Sequence, residues 1–294
     1  MIRKIVSTLR PADSLNLSFL FFLTALVLFF RQRIGAAGQL VALYSLLFFF
    51  QIVLVRFGNR EGLMGWMYDL IFPTISILLI FDSLGKIVHS VNPRDIDPLL
   101  IRLDYMIFGF YPTVMMERWI SPCLTDIMQL AYSSYYFLPL TLGVTLKMRR
   151  KEGALGHSLF LIMFCFYLSY VGYMLMPALG PRYTMAHLQH ADLRGFLIAG
   201  PIQEMLNRLE GIKRDAFPSG HTAVALTVLY LSYLHARGLF RLFLPVVLAL
   251  IFSTVYCRYH YVVDVLGGVV LAGIAIIVGE LYYGHRAERV DTDR

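Results

Sequence analysis

Charge is scarce in this chain. Asp, Glu, Lys and Arg make up only 15% of the 294 residues, against about 25% in an ordinary soluble domain. With 58% hydrophobic residues and a mean hydropathy of +0.65, the composition excludes a water-soluble fold. There are only three cysteines, Cys123, Cys165 and Cys257, and no C-x-x-C spacing. That leaves no disulfide framework and no zinc site. The net charge of +7 is spread over short loops rather than gathered into a stripe or tail. This argues against a nucleic-acid partner and for topology signals and anionic headgroups. Clustered carboxylates are absent too, so no metal or other cofactor is expected.

What the chain has instead is apolar runs long enough to cross a bilayer. The pattern predicts an all-α, polytopic membrane helix bundle in one integral domain over 1–294. About eight spans are expected, near 15–30, 36–55, 65–84, 120–146, 156–178, 221–236, 241–257 and 262–283. Residues 1–118 would hold the N-terminal spans, 119–283 the helical core, and 284–294 a cytoplasmic tail. Lys147, Arg149, Arg150 and Lys151 form the densest basic cluster. Placed inside by the positive-inside rule, this cluster puts both termini in the cytoplasm. Between the third and fourth spans, Ile96, Leu99, Leu100, Leu103, Met106, Ile107 and Phe110 recur at helical spacing. Asp95, Asp97, Arg102 and Asp104 fall largely opposite, which predicts an amphipathic helix lying along the outer surface.

Two stretches stand out chemically. The first is Asp215-Ala216-Phe217-Pro218-Ser219-Gly220-His221-Thr222, just before an apolar run. Pro218 belongs just inside a helix start. Ser219 and Gly220 would follow where first-turn amides lack partners, a ready anion site. His221 adds a group that exchanges protons near neutral pH. The second stretch runs from Tyr256 through Arg258 and His260 to Asp264. His260 and Asp264 are four apart and share a helix face. A carboxylate there would fix the imidazole tautomer and sharpen the other nitrogen as a nucleophile or base. Arg258 offers a fork suited to phosphate. By the alternation of spans, these residues and Arg182 all reach the outer membrane surface. Ionisable groups gathered at one interface point to a task.

Phe217-Pro218-Ser219-Gly220-His221 followed by Tyr256-x-x-x-His260-Tyr261-x-x-Asp264 resembles the type 2 phosphatidic acid phosphatase superfamily over about residues 156–283. The resemblance implies a metal-free phosphoryl transfer on a six-helix core, here with an N-terminal extension. His260 would attack phosphorus, Asp264 would orient it, and His221 would protonate the leaving oxygen. Arg182, Ser219, Gly220 and Arg258 would hold the phosphoryl oxygens. The sequence departs from the family pattern at two places. Leu175 stands where a motif lysine is usual, which leaves Lys213 or Arg214 as substitutes. Thr254 stands where the third-motif arginine is usual, with Arg258 one turn on. Asp104-x-x-x-Phe108-Gly109-x-x-Pro112-Thr113 is similar to the inositol phosphorylceramide synthase branch, whose members transfer a headgroup to a second lipid. Asp126, Gln129, Tyr132, Tyr135 and Tyr136 are then candidates for an acceptor pocket, with interhelical packing as their other role. The implied partners are a lipid phosphate and, for transfer, a second lipid or polyol hydroxyl. The alternative is a lipid transporter or headgroup-binding scaffold on the same fold.

Overall fold

The computed structural model describes residues 9–57, 62–209 and 212–292. Arg3, Lys4, Arg60 and Arg294, basic residues on the side expected to face the cytoplasm, lie outside the described residues. Among the described residues the secondary structure is helical, with no strand. The helices are α1 (Pro11–Phe29), α2 (Ala37–Phe57), α3 (Gly62–Leu84), α4 (Asp97–Phe108), α5 (Pro112–Trp119), α6 (Pro122–Ser133), α7 (Phe137–Met148), α8 (Glu152–Leu175), α9 (Ala199–Leu209), α10 (Gly220–His235), α11 (Arg237–Tyr256) and α12 (Val262–Thr292).

Six of these, α1, α2, α3, α8, α11 and α12, are long and apolar enough to cross a membrane. A seventh is reached if α4 and α5, bent by 67° to each other, are one span. The other two expected spans differ from expectation for simple reasons. The run 120–146 is broken into α6 and α7 by a 3-10 turn at Ser134–Tyr136. The run 221–236 gives α10, whose 16 residues reach roughly 24 Å, short of a hydrocarbon core of about 30 Å. The tail expected from 284 onward continues α12 as helix to Thr292.

Helix α8 is the hub. Its buried residues face every direction, from Leu155 and Phe160 through Cys165 to Tyr173, as a helix enclosed by others must. It packs on α1, α3, α7, α10 and α12. The N-terminal helices are tied to it by a buried polar knot. Asn16 of α1 donates to Gln51 of α2 at 2.7 Å, and its carbonyl oxygen accepts from Ser76 of α3 at 3.1 Å and from the Tyr167 hydroxyl of α8. Side-chain hydrogen bonds of this kind hold helices together where burial from water supplies no drive. A charged cluster closes the end of the bundle away from His221. Asp69 takes Arg10 and Lys147, each at 2.5 Å.

Helix α4 is inverted relative to a soluble amphipathic helix. Leu99, Met106 and Ile107 are exposed, while Asp97 and Asp104 are each only 2% exposed. Apolar side chains outward and carboxylates inward suit a membrane surface. The inward carboxylates are what position the site.

Candidate active site

The first chemical stretch folds into a tight turn leading into α10. Ser219 is the N-cap, and its hydroxyl accepts from the Thr222 amide at 3.3 Å. Pro218 therefore precedes the cap, two positions earlier than expected. Small residues let the turn sink between two helices. Gly172 of α8 lies against the Pro218 ring, Gly267 of α12 against Phe217, and Gly268 against the Ser219 carbonyl. The Ser219 amide donates to the Asp264 carbonyl at 3.0 Å, which locks the turn to the start of α12.

This packing brings His221, in the first turn of α10, up to His260, which lies in the turn between α11 and α12 and not on one helix face with Asp264 as expected. His260 Nε2 and His221 Nδ1 are 3.4 Å apart, with the rings near perpendicular at 61°. His260 is 3% exposed and His221 8%. His260 Nδ1 lies 2.8 Å from the Ala216 carbonyl. A carbonyl can only accept, so Nδ1 carries the proton and Nε2 keeps its lone pair facing His221. Burial pushes the His260 imidazole down to about 4, and the Asp215 charge and the Ala216 bond only partly oppose it. The ring is thus neutral at neutral pH. Tyr132 stacks on His221 at 4.5 Å, and Tyr135 sits 4.2 Å from the same ring.

Asp264 is beside His260 but is not its shortest contact. Its Oδ2 is 3.5 Å from His260 Nδ1 and accepts from the Tyr261 amide at 2.9 Å. Its other oxygen is buried without a hydrogen-bond partner. The tautomer expected from Asp264 is fixed instead by a backbone carbonyl, a partner no side-chain pattern discloses.

A small polar cleft of about 20 Å³ opens onto both imidazoles and is lined by Arg182, Lys213, Asp215 and Tyr259. The Arg182 guanidinium lies 4.8 Å over the Tyr259 ring and 4.9 Å over Tyr183, a stacked position that holds its charge in place. Its backbone amide donates to the Arg258 carbonyl at 3.0 Å. Of the two basic substitutes, Lys213 lines the cleft, whereas Arg214 pairs with Asp95 at 2.7 Å.

Arg258 and Asp126 are placed away from the cleft, whereas Ser219 and Gly220 sit in the turn beside His221. Arg258, with a left-handed φ of 64°, turns its guanidinium to Glu117 at 2.8 Å and the Ala191 carbonyl at 2.6 Å. It faces a neighbouring polar cavity of about 400 Å³, not the cleft. The helical register that would have carried it from position 254 to the cleft ends at Tyr256. Ser219 spends its amide on Asp264 and its hydroxyl on capping. Gly220 lies against the Tyr173 hydroxyl, where a Cβ would collide. Asp126 is the anchor of α9: its two oxygens accept from the amides of Phe196, Leu197, Ile198 and Ala199 at 2.7 to 3.1 Å. A carboxylate engaged by four amides at a helix start is a cap, not an acceptor-binding group.

Two residues without an assigned role in the sequence build the site's frame. Asp97 accepts from the amides of Leu179 and Gly180 and from the Tyr261 hydroxyl, at 2.8 to 2.9 Å. Asp104 accepts from the amides of Val262 and Val263 at 3.1 and 2.9 Å and so caps α12. They are seven residues apart on one face of α4, and that spacing was the signal available. Gly180 itself has φ 89°, and a Cβ there would lie 2.6 Å from the Tyr259 carbonyl; only glycine fits such a backbone. Asp97→Ala should leave the buried Gly180 amide without its acceptor, at roughly 1–3 kcal/mol, and take one partner each from the Leu179 amide and from the Tyr261 hydroxyl, which keeps Thr184. We expect a lower unfolding midpoint in detergent and a raised KM, with Asp97→Asn restoring part of both.

The profile of the PAP2 superfamily matches residues 99–278, more than half of the chain, and the chain belongs to that superfamily. The match starts within α4, so the frame aspartate Asp104 falls inside it and helices α1–α3 fall outside. A PA-phosphatase related-family protein of Dictyostelium discoideum is 29% identical over 114 residues, covering 37% of this chain and 20% of that protein. The chain thus spans about a fifth of the length of that curated relative. No solved structure matches.

Proposed function

We propose that this protein is a membrane lipid-phosphate phosphatase that works through a phosphohistidine on His260. The observation that carries the reading is the 3.4 Å approach of two buried imidazoles, with His260 Nδ1 committed to the Ala216 carbonyl. His260 Nε2 attacks phosphorus, and the bond from phosphorus to the lipid oxygen breaks. His221, protonated as the dianionic headgroup arrives, gives its proton to that oxygen. Water then attacks the phosphoryl group, His221 takes the water's proton, and the P–N bond breaks to free His260 and inorganic phosphate. Arg182 and Lys213 offset the phosphoryl charge, the work of fixed cations in a site shielded from water. The gap between the rings is hydrogen-bond length, so seating a phosphate requires the two side chains to part. Asp264 accepts from the Tyr261 amide and so holds the turn that carries His260. The site faces the non-cytoplasmic side, with the termini in the cytoplasm.

A second reading, transfer to a hydroxyl acceptor as in the inositol phosphorylceramide synthase branch, is favoured by one observation. The polar cavity of about 400 Å³ shares Arg182 with the cleft and is lined by Gln189, Asp192 and Gln203, groups suited to a polyol. The product decides between the two. With a ³²P-labelled lipid phosphate and the full chain in detergent, phosphatase action releases inorganic phosphate, and transfer moves the label to a second lipid. Both readings require an acid-labile, base-stable phosphoenzyme mapped to His260 and activity that survives a chelator. A wild-type protein that forms no phosphoenzyme and turns over no lipid phosphate leaves the scaffold reading in their place.

A further inference from the structure

A second cavity, of about 160 Å³, reaches the same imidazole from the other side. His221 and Asp215 line both it and the polar cleft, and they form the boundary between them. The rest of its wall is nearly all apolar. Helix α8 contributes residues from Leu155 to Tyr173, eighteen positions or roughly 27 Å of helix, comparable to the hydrocarbon thickness of about 30 Å. Helix α7 contributes Leu140, and helix α3 contributes Leu70, Thr74 and Leu78. Leu70 packs over Gly143 at the end away from His221 and closes the floor. Leu78 and Leu140, 49% and 36% exposed, mark a side that opens between α3 and α7.

Given the proposed chemistry, on which this inference rests, the position of His221 has a consequence. A general acid must sit at the oxygen that joins phosphorus to the leaving alcohol. That oxygen is where headgroup ends and tail begins, and His221 is where the polar cleft ends and the apolar cavity begins. We propose that this cavity holds the single long hydrocarbon tail of the leaving alcohol. Helix α3, outside the matched segment 99–278, supplies the wall that makes the chain selective for tail length.

The test uses the full chain in detergent with two readouts. The first is kcat/KM for hexadecyl phosphate over butyl phosphate, compared between variants at fixed detergent. Each methylene buried in the cavity is worth up to about fourfold. Ile162→Trp, deep in the wall, and Thr74→Trp, near the opening, should each lower that ratio at least tenfold. The second is equilibrium binding of hexadecanol, which needs no chemistry, and both variants should weaken it to a similar degree. Unchanged hexadecanol affinity in both variants overturns the tail assignment, whether or not the protein turns over. Normal hexadecanol binding by a wild-type protein that hydrolyses neither phosphate overturns the phosphatase reading and, with it, the assignment of the alcohol as a leaving group. Thr74→Trp, at a half-exposed position, guards against misfolding of the deeper variant.

Discussion

Alanine at position 260 should lower turnover of a lipid phosphate by roughly 10⁴-fold or more and abolish the phosphoenzyme. The size of the loss follows from the site's economy of parts. A covalent route divides one difficult displacement into two, and it depends on a single nucleophilic atom. In this structure that atom is Nε2, left with its lone pair because the Ala216 carbonyl holds the proton on Nδ1. The same burial that shelters the ring lowers its pKa to about 4. The direction for activity follows. Above about pH 4 the ring is neutral and nucleophilic, and below it Nε2 is protonated and attack stops. The acid limb of kcat/KM for the wild type should therefore fall near pH 4, well below the ordinary imidazole value of 6.5. A limb at 6.5 that does not follow the substrate's own second phosphate ionisation would show that the free enzyme's nucleophile is solvated, contrary to its 3% exposure and its contacts with Ala216 and His221. His260→Ala turning over at wild-type rate would remove the covalent mechanism altogether.

How much of this was legible in the sequence depends on which kind of contact is asked about. Span alternation alone placed His221, His260 and Asp264 at one end of the bundle, and the structure brings the two histidines into hydrogen-bond range. Such convergence is readable because apolar runs and bilayer thickness fix where helices begin and end. Partner choice is not fixed that way. Arg258 and Asp126 are the residue types that bind phosphate or a hydroxyl, yet each meets a local demand first: Arg258 the Glu117 carboxylate, Asp126 the open amides at the start of α9. The reverse error concerns Asp97 and Asp104. The spacing predicts their face of α4 as the polar side of a helix lying along the outer surface, but the helix turns these carboxylates inward, where they tie down Gly180 and α12. The short α10 and the broken pair α6 and α7 were read as ordinary spans because hydropathy does not register a 3-10 turn. The π-turn at Met67–Ile71 is invisible for the same reason, although it sets the Leu70 side chain over Gly143.

His221 invites a sharper question than loss of activity, because several roles predict loss. As general acid it matters in proportion to how badly the leaving oxygen needs a proton. An alkyl alkoxide needs one almost completely, so His221→Ala should slow hydrolysis of an alkyl phosphate by roughly 10² to 10⁴-fold. The p-nitrophenolate ion leaves readily without a proton, so phosphoenzyme formation from p-nitrophenyl phosphate, read as the p-nitrophenolate burst, should lose far less, at least tenfold less than formation from the alkyl ester. The nucleophile is untouched in this variant, so the phosphoenzyme should still form from the activated ester. It should also persist longer, since His221 is the base that draws a proton from the attacking water. Accumulation of phosphoenzyme with p-nitrophenyl phosphate and its near absence with the alkyl phosphate would separate the two duties of one ring. Equal losses in the rate of phosphoenzyme formation from the two esters would contradict proton transfer and leave His221 as a packing partner held between Tyr132 and Tyr135.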